Sequence, residues 1–335
     1  MGFLHISITF LSILSLMIMS QHPAAADHVS TSSSSSPETY WKSVLPNTPI
    51  PKAISELLNI YTLVPGNNRA EETHPISVNG VDEHIIGSTT TRADKSSGTS
   101  STSDGEHADD TKPIYQSTGA LLILEKDMYQ GHTMNLRFTK TSISRSSPST
   151  FLPREVANTI PFSSNNLPEL YTRFSIKPGS KESESMKKTI GLCEDEALKG
   201  EEKYCATCLE DMVDFTTSKL GKKVKAISTE VIHANKFQKY TIDNSRKVAT
   251  AKFVNCHKRS YPYAVFYCHK VVSTRAYLVS LSGEDGSKAK AVAICHDNGA
   301  KLYPKDLVFK VLKVKPGTAP ICHFLPEDHV VFVPY

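Results

Sequence analysis

Four Cys-His dipeptides run through the last third of this 335-residue chain: Cys256-His257, Cys268-His269, Cys295-His296 and Cys322-His323, separated by 10, 25 and 25 residues. They couple four of the seven cysteines to four of the thirteen histidines. Successive side chains of a strand point to opposite faces of a sheet. Dipeptides at strand ends would therefore collect sulfur on one face and imidazole on the other. In an exported chain the thiols oxidise, so these cysteines are expected in disulfides rather than as metal thiolates. Neutral imidazoles are the commonest metal ligands, which makes His257, His269, His296 and His323 the expected ligands of a nitrogen-rich site. The competing reading is that each ring only caps a strand and satisfies backbone groups. A zinc finger is excluded by the spacing, which lacks a Cys pair followed by a His pair.

Turn signals limit how the four cysteines can pair. Gly283-Glu284-Asp285-Gly286 separates two strand-like runs, 274–282 and 287–296, and predicts a hairpin. In that register Cys295 faces about Thr274, leaving Cys268 roughly 20 Å away at about 3.3 Å per residue, beyond the reach of a disulfide. A turn at Pro262 would instead set Cys256 opposite Cys268, with His257 and His269 together on the other face. Cys295 is then left for Cys322. The alternative, that YPYAVFY is one continuous strand, would undo this pairing.

The rest of the chain bounds the fold and its setting. Residues 1–26 contain no Asp, Glu, Lys or Arg, carry an apolar run from Ile8 to Met19 and end in three alanines. They read as a signal peptide, too short in their apolar run to span a bilayer. Secretion to the extracellular space or cell wall is expected, with the vacuole as the alternative, and no membrane partner remains after cleavage. Residues 27–64 hold a Ser/Thr tract and then a segment with the only tryptophan, Trp41, and a candidate helix begun by Pro51 that carries Ile54, Leu57 and Leu58. Packing of this segment against the folded domain is the expected role. Residues 65–119 turn to Gly, Ser, Thr, Asp and Glu, with too few apolar side chains to offset the entropy of ordering, and read as a flexible linker. A net charge of +4, spread without a basic stripe, excludes nucleic acid as a partner.

Residues 120–335 are left to fold as one disulfide-stapled α+β domain with a predominantly antiparallel sheet. Short helices are predicted over 151–160 and 167–176, and a longer one over 201–220, where Cys205, Cys208, Leu209, Met212 and Phe215 share a face. Strands are predicted over 306–314 and 330–333. Cys208 is expected as a buried free thiol on the helix's apolar face.

The dipeptide spacing, together with LEKDMYQGHTMNLRFTK, GEEKYCATCLEDMVDF, YPYAVFYCHKV and ICHFLPEDHVVFVPY, resembles the plant BURP domain. The resemblance covers 120–335 and departs from the family pattern where Tyr129-Gln130 replaces a His-Pro and Phe332 replaces a tryptophan. It implies that Cys193 and Cys205, which match the family's two upstream cysteines, bridge each other. It also implies copper as the cofactor, ahead of zinc, since relatives include copper-dependent peptide cyclases that join an oxidised Tyr or Trp to another residue of a peptide in cis or in trans. Here Tyr115 and Trp41 are the candidate crosslinked residues. The alternative implied by other members is a non-catalytic cell-wall, seed or stress-associated protein that binds polysaccharide, protein or metal.

Overall fold

The computed structural model describes residues 36–58, 121–140, 149–232, 236–297 and 306–335. The expected signal peptide, the expected linker and Tyr115 lie outside these residues. Within the described residues the architecture is α+β, with every strand pair antiparallel. One sheet runs β1 (Leu121–Leu124), β11 (Ile321–Phe324), β10 (Lys288–His296), β9 (Thr274–Gly283), β6 (Gln238–Thr250) and β2 (Thr133–Leu136). A further strand, β5 (Glu230–Ile232), pairs with the first part of β10. The other sheet runs β3 (Glu201–Ala206), β8 (Val265–Val271), β7 (Val254–Arg259), β12 (Val330–Pro334) and β4 (Val224–Ile227).

The strand period distributes the core. Ala276, Val292 and Ile294 of the first sheet pack with Val331 and Val333 of the second, so these faces meet. On its opposite face the first sheet buries Cys295 and Cys322 among Ile123, Phe138, Tyr240, Phe324 and the alternating Ala289, Ala291 and Ala293. The second sheet buries Cys256 and Cys268 beneath α6 (Leu209–Leu220) and two N-terminal helices, α1 (Pro37–Val44) and α2 (Lys52–Leu58). Three more helices, α3 (Arg154–Ala157), α4 (Leu167–Arg173) and α5 (Lys181–Glu194), lie between Phe151 and β3 in the chain. The side chains of α4 and α5 enclose Tyr261 and Tyr263.

The segment 36–58 is part of the core. Ser36 caps α1 by accepting the Thr39 N–H at 3.2 Å, and Pro37 opens the helix. Trp41 has no exposed surface; its indole N–H donates to the Thr48 carbonyl at 2.9 Å and its ring lies 5.8 Å from that of Phe332. Tyr40 donates to Asp214, whose other oxygen pairs with Arg154 at 2.6 Å. The Thr48 hydroxyl donates to the Val224 carbonyl at 2.6 Å, fastening the segment to β4. Trp41 is therefore a core residue, which corrects its candidacy as a crosslinked side chain: a fully buried ring with its N–H engaged is not presented to any site.

Two further expectations change. The helix predicted from Glu201 begins only at Leu209, because 201–206 form β3 and pair with β8. Cys208 consequently sits at the helix N-cap, accepting the Asp211 N–H at 3.4 Å, and burial pushes its thiol up to about 12. It is the free, buried cysteine among the described residues. The strand predicted over 306–314 is instead the helix α7 (Asp306–Val311), whose Val308 and Phe309 pack on Leu124 and Ile321. A short apolar run carries too little periodicity to separate the two states.

Candidate metal centre

Each Cys-His dipeptide occupies a strand, and the two sheets use them alike. In the second sheet Cys256 lies directly opposite Cys268, so that His257 faces Tyr267 and His269 faces Asn255 on the reverse side. In the first, Cys295 lies opposite Cys322, with His296 facing Ile321 and His323 facing Ile294. Disulfides join Cys256 to Cys268, Cys295 to Cys322 and Cys193 to Cys205. The 283–286 hairpin lets His296, rather than Cys295, face Thr274, one residue from the expected register. Cys205 being bridged to Cys193, the Cys205/Cys208 spacing does not form a redox pair.

The sulfurs point outward into the two separate cores, and the imidazoles point between the sheets. His257 Nε2 lies 3.2 Å from His269 Nε2, and His296 Nε2 lies 3.3 Å from His323 Nε2. The pairs adjoin: the rings of His257 and His323 are 6.2 Å apart, centroid to centroid. A fifth imidazole, His329, places its Nδ1 2.9 Å from His257 Nδ1. Sequence reasoning missed it because it lacks a preceding cysteine. The signal lay in the register of β12, where Val330 pairs with Cys256 and so brings the preceding residue beside His257.

Burial and crowding keep His257, His296, His323 and His329 neutral. Loss of solvent, followed by the neighbouring His329 and His269, holds His257 well below the usual imidazole range. The same removal from water lowers His296 to about 4 and both His323 and His329 to about 3. Beside them Glu201 accepts from His269 Nδ1 and from the Tyr267 hydroxyl, both at 2.7 Å. Burial alone would raise the Glu201 carboxyl, but these hydrogen bonds and one from the Leu198 N–H outweigh it and hold it at about 2.

Donor type and spacing fit a metal held by imidazole. Two nitrogens about 2.0–2.1 Å from one tetrahedral ion lie roughly 3.3–3.4 Å apart, close to the separation within each pair. Each pair supplies two donors; among the described residues no three His, Cys, Asp or Glu side chains are already gathered as a complete metal-holding group.

Comparison with known proteins identifies the family. The model of the BURP domain matches residues 121–334. The chain belongs to the BURP domain family. Over 220 residues it is 54% identical to the BURP domain protein RD22 of Arabidopsis thaliana, covering 64% of this chain and 56% of the relative. Over 219 residues it is 48% identical to BURP domain-containing protein 3 of Oryza sativa subsp. japonica, covering 64% and 50%. The chain thus spans about half the length of these two relatives. BURP domain-containing protein 5 of the same rice matches at 38% identity across 89% of this chain and 86% of its own.

Proposed function

We propose that this BURP protein is secreted, or delivered to the vacuole, and binds copper through His257, His269, His296 and His323, with zinc as the competing metal. The observation that carries the reading is the pairing of imidazoles at 3.2 and 3.3 Å between the two sheets. Imidazole nitrogen is a good donor for copper and zinc, and copper(II) stands highest in the affinity order of divalent first-row metals.

We further propose that it joins a tyrosine side chain of a peptide to another residue by oxidative coupling, acting in cis or in trans. Bound copper, with dioxygen as oxidant, would supply the oxidation that no side chain here can perform. The polypeptide contributes the buried ligands. Leu122 pairs with His323, and Tyr115 precedes Leu121 by six residues, at most roughly 20 Å of extended chain. With Trp41 locked in the core, Tyr115 is the cis candidate.

The test has two stages. Replacing His257, His269, His296 and His323 together by Ala should abolish copper uptake while the three disulfides persist; unchanged metal content would defeat the ligand assignment. Wild-type protein exposed to Cu(II) in air should then lose two hydrogens, beyond those of disulfide formation, in the peptide containing Tyr115, and Tyr115→Phe should not. Metal uptake without that mass change, on this chain or on added peptides, would favour the non-catalytic reading of a secreted metal-, polysaccharide- or protein-binding component.

A further inference from the structure

The two histidine pairs do not have the same surroundings. Glu201 opens β3 on the face shared with Tyr267 and His269, because Lys203 pairs with His269 and Cys205 with Tyr267. Its side chain is only 5% exposed, and both oxygens are engaged: Oε1 with His269 Nδ1 and the Tyr267 hydroxyl, Oε2 with the Leu198 N–H at 2.9 Å. The backbone beneath it is equally fixed. The Glu201 N–H donates to the Leu198 carbonyl at 2.8 Å. Gly200 turns at φ +85°, where a Cβ would meet Val272 Cγ2 at 2.9 Å. Four residues on, the Cys193–Cys205 bridge ties the strand to α5.

In a neutral His269, the form that ligates a metal, a carboxylate accepting from Nδ1 places the ring hydrogen there and leaves Nε2 with its lone pair. On the other side of the gap, His257 Nε2 accepts from Asn255 Nδ2 at 2.9 Å, which puts that ring's hydrogen on Nδ1, beside His329. His269 Nε2 then faces His257 Nε2 across 3.2 Å; the single lone pair of His257 Nε2 is turned to the Asn255 amide in the metal-free protein, so a cation entering between the rings would take the place of that amide hydrogen. His296 and His323 stack within 7° of parallel, and none of the described carboxylates or amides hydrogen-bonds to either ring.

We propose that Glu201 is a positioning residue that fixes the His269 tautomer and thereby makes the His257/His269 pair a metal position distinct from, and tighter than, the His296/His323 pair. The inference rests on the metal-binding reading above and adds to it an order of loading. Outer carboxylate partners of ligating histidines orient the ring and raise its basicity, and their loss costs 10- to 100-fold in affinity in typical sites.

The test combines nitrogen-detected NMR of the imidazoles in metal-free protein with separate calorimetric titrations of Zn(II) and Cu(II). Wild-type protein should show His269 held as the Nδ1–H tautomer and two binding events of unequal affinity. Glu201→Met keeps the chain length and removes the acceptor; it should release the tautomer and weaken the tighter event by about 10- to 100-fold, leaving the weaker one in place. Glu201→Gln retains a neutral acceptor oxygen and should keep the tautomer with a smaller, several-fold loss. An unaltered tautomer and unaltered affinities in the Met variant would overturn the proposal. Should that variant fail to fold, unaltered tight binding in the Gln variant overturns it equally. Equal affinities in wild type that neither variant changes would sink this inference and leave copper binding standing, whereas wild-type protein that takes up neither metal defeats the metal reading itself.

Discussion

Removing the Trp41 indole should destabilise a domain that lies more than sixty residues further along the chain. The ring is fully buried between Phe332 and the helices of the second sheet, in the same cluster as Cys256 and Cys268. Truncating a buried tryptophan to Ala costs about 3–5 kcal/mol from lost transfer energy and the cavity left behind. At roughly 2–4 °C per kcal/mol for a fold of this size, Trp41→Ala should lower the melting temperature by about 6–20 °C. Trp41→Phe separates the terms: it keeps an aromatic ring beside Phe332 but leaves the buried Thr48 carbonyl without the indole donor, an omission worth about 1–3 kcal/mol. Calorimetry with all three disulfides intact gives both shifts. Since Trp41 is the chain's only tryptophan, its emission should also move to longer wavelength in the same transition that unfolds the sheets. A melting temperature for Trp41→Ala within about 2 °C of wild type would refute the reasoning, for it would mean that segment 36–58 contributes nothing to the fold.

Other outcomes follow from the same contacts. A specific protease site introduced between Leu58 and Leu121 should, once cut, give two fragments that co-elute until denatured, because the segment is held by burial and hydrogen bonds; separation on native gel filtration would contradict this. The folded-state pKa values of His296, His323 and His329 lie below the unfolded value of about 6.5, so the unfolded chain binds more protons as pH falls. Stability is therefore complete above about pH 6.5 and is lost toward pH 4, by roughly 2 kcal/mol per ring at pH 5 and several kcal/mol for the three. Urea midpoints in chelator at pH 7.5 and 5.0 measure the loss, and equal midpoints would show that the rings are not buried neutral.

Much of the centre was legible because it is written in local spacing. Ten residues around Pro262 make a hairpin that sets Cys256 against Cys268, and the Gly283–Gly286 turn fixes where β10 can run. Alternation then separates sulfur from imidazole without further information. What was illegible depended on partners distant in sequence. His329 joins the cluster only because β12 pairs with β7, and Glu201 reaches His269 only because β3 pairs with β8. Residues 201–206 read as helix because Cys205, Cys208, Leu209 and Met212 suit a 3.6-residue period; strand pairing and the bridge to Cys193 override that preference. The segment around Trp41 showed its apolar stripe plainly but not which surface would cover it.

The back-to-back placement of sulfur and nitrogen has a consequence for how the protein matures. While reduced, the four dipeptides would offer soft thiolates that compete strongly for copper(I) and zinc. Closing the Cys256–Cys268 and Cys295–Cys322 bridges consumes those competitors, and the same bonds clamp neighbouring strands in the register that brings the imidazoles together on the far side. Oxidation thus changes the donor chemistry and assembles the nitrogen pairs in one event. On the metal-binding reading proposed above, a chain that met metal before its bridges closed would be held on sulfur, so thiol oxidation would come first and metal second.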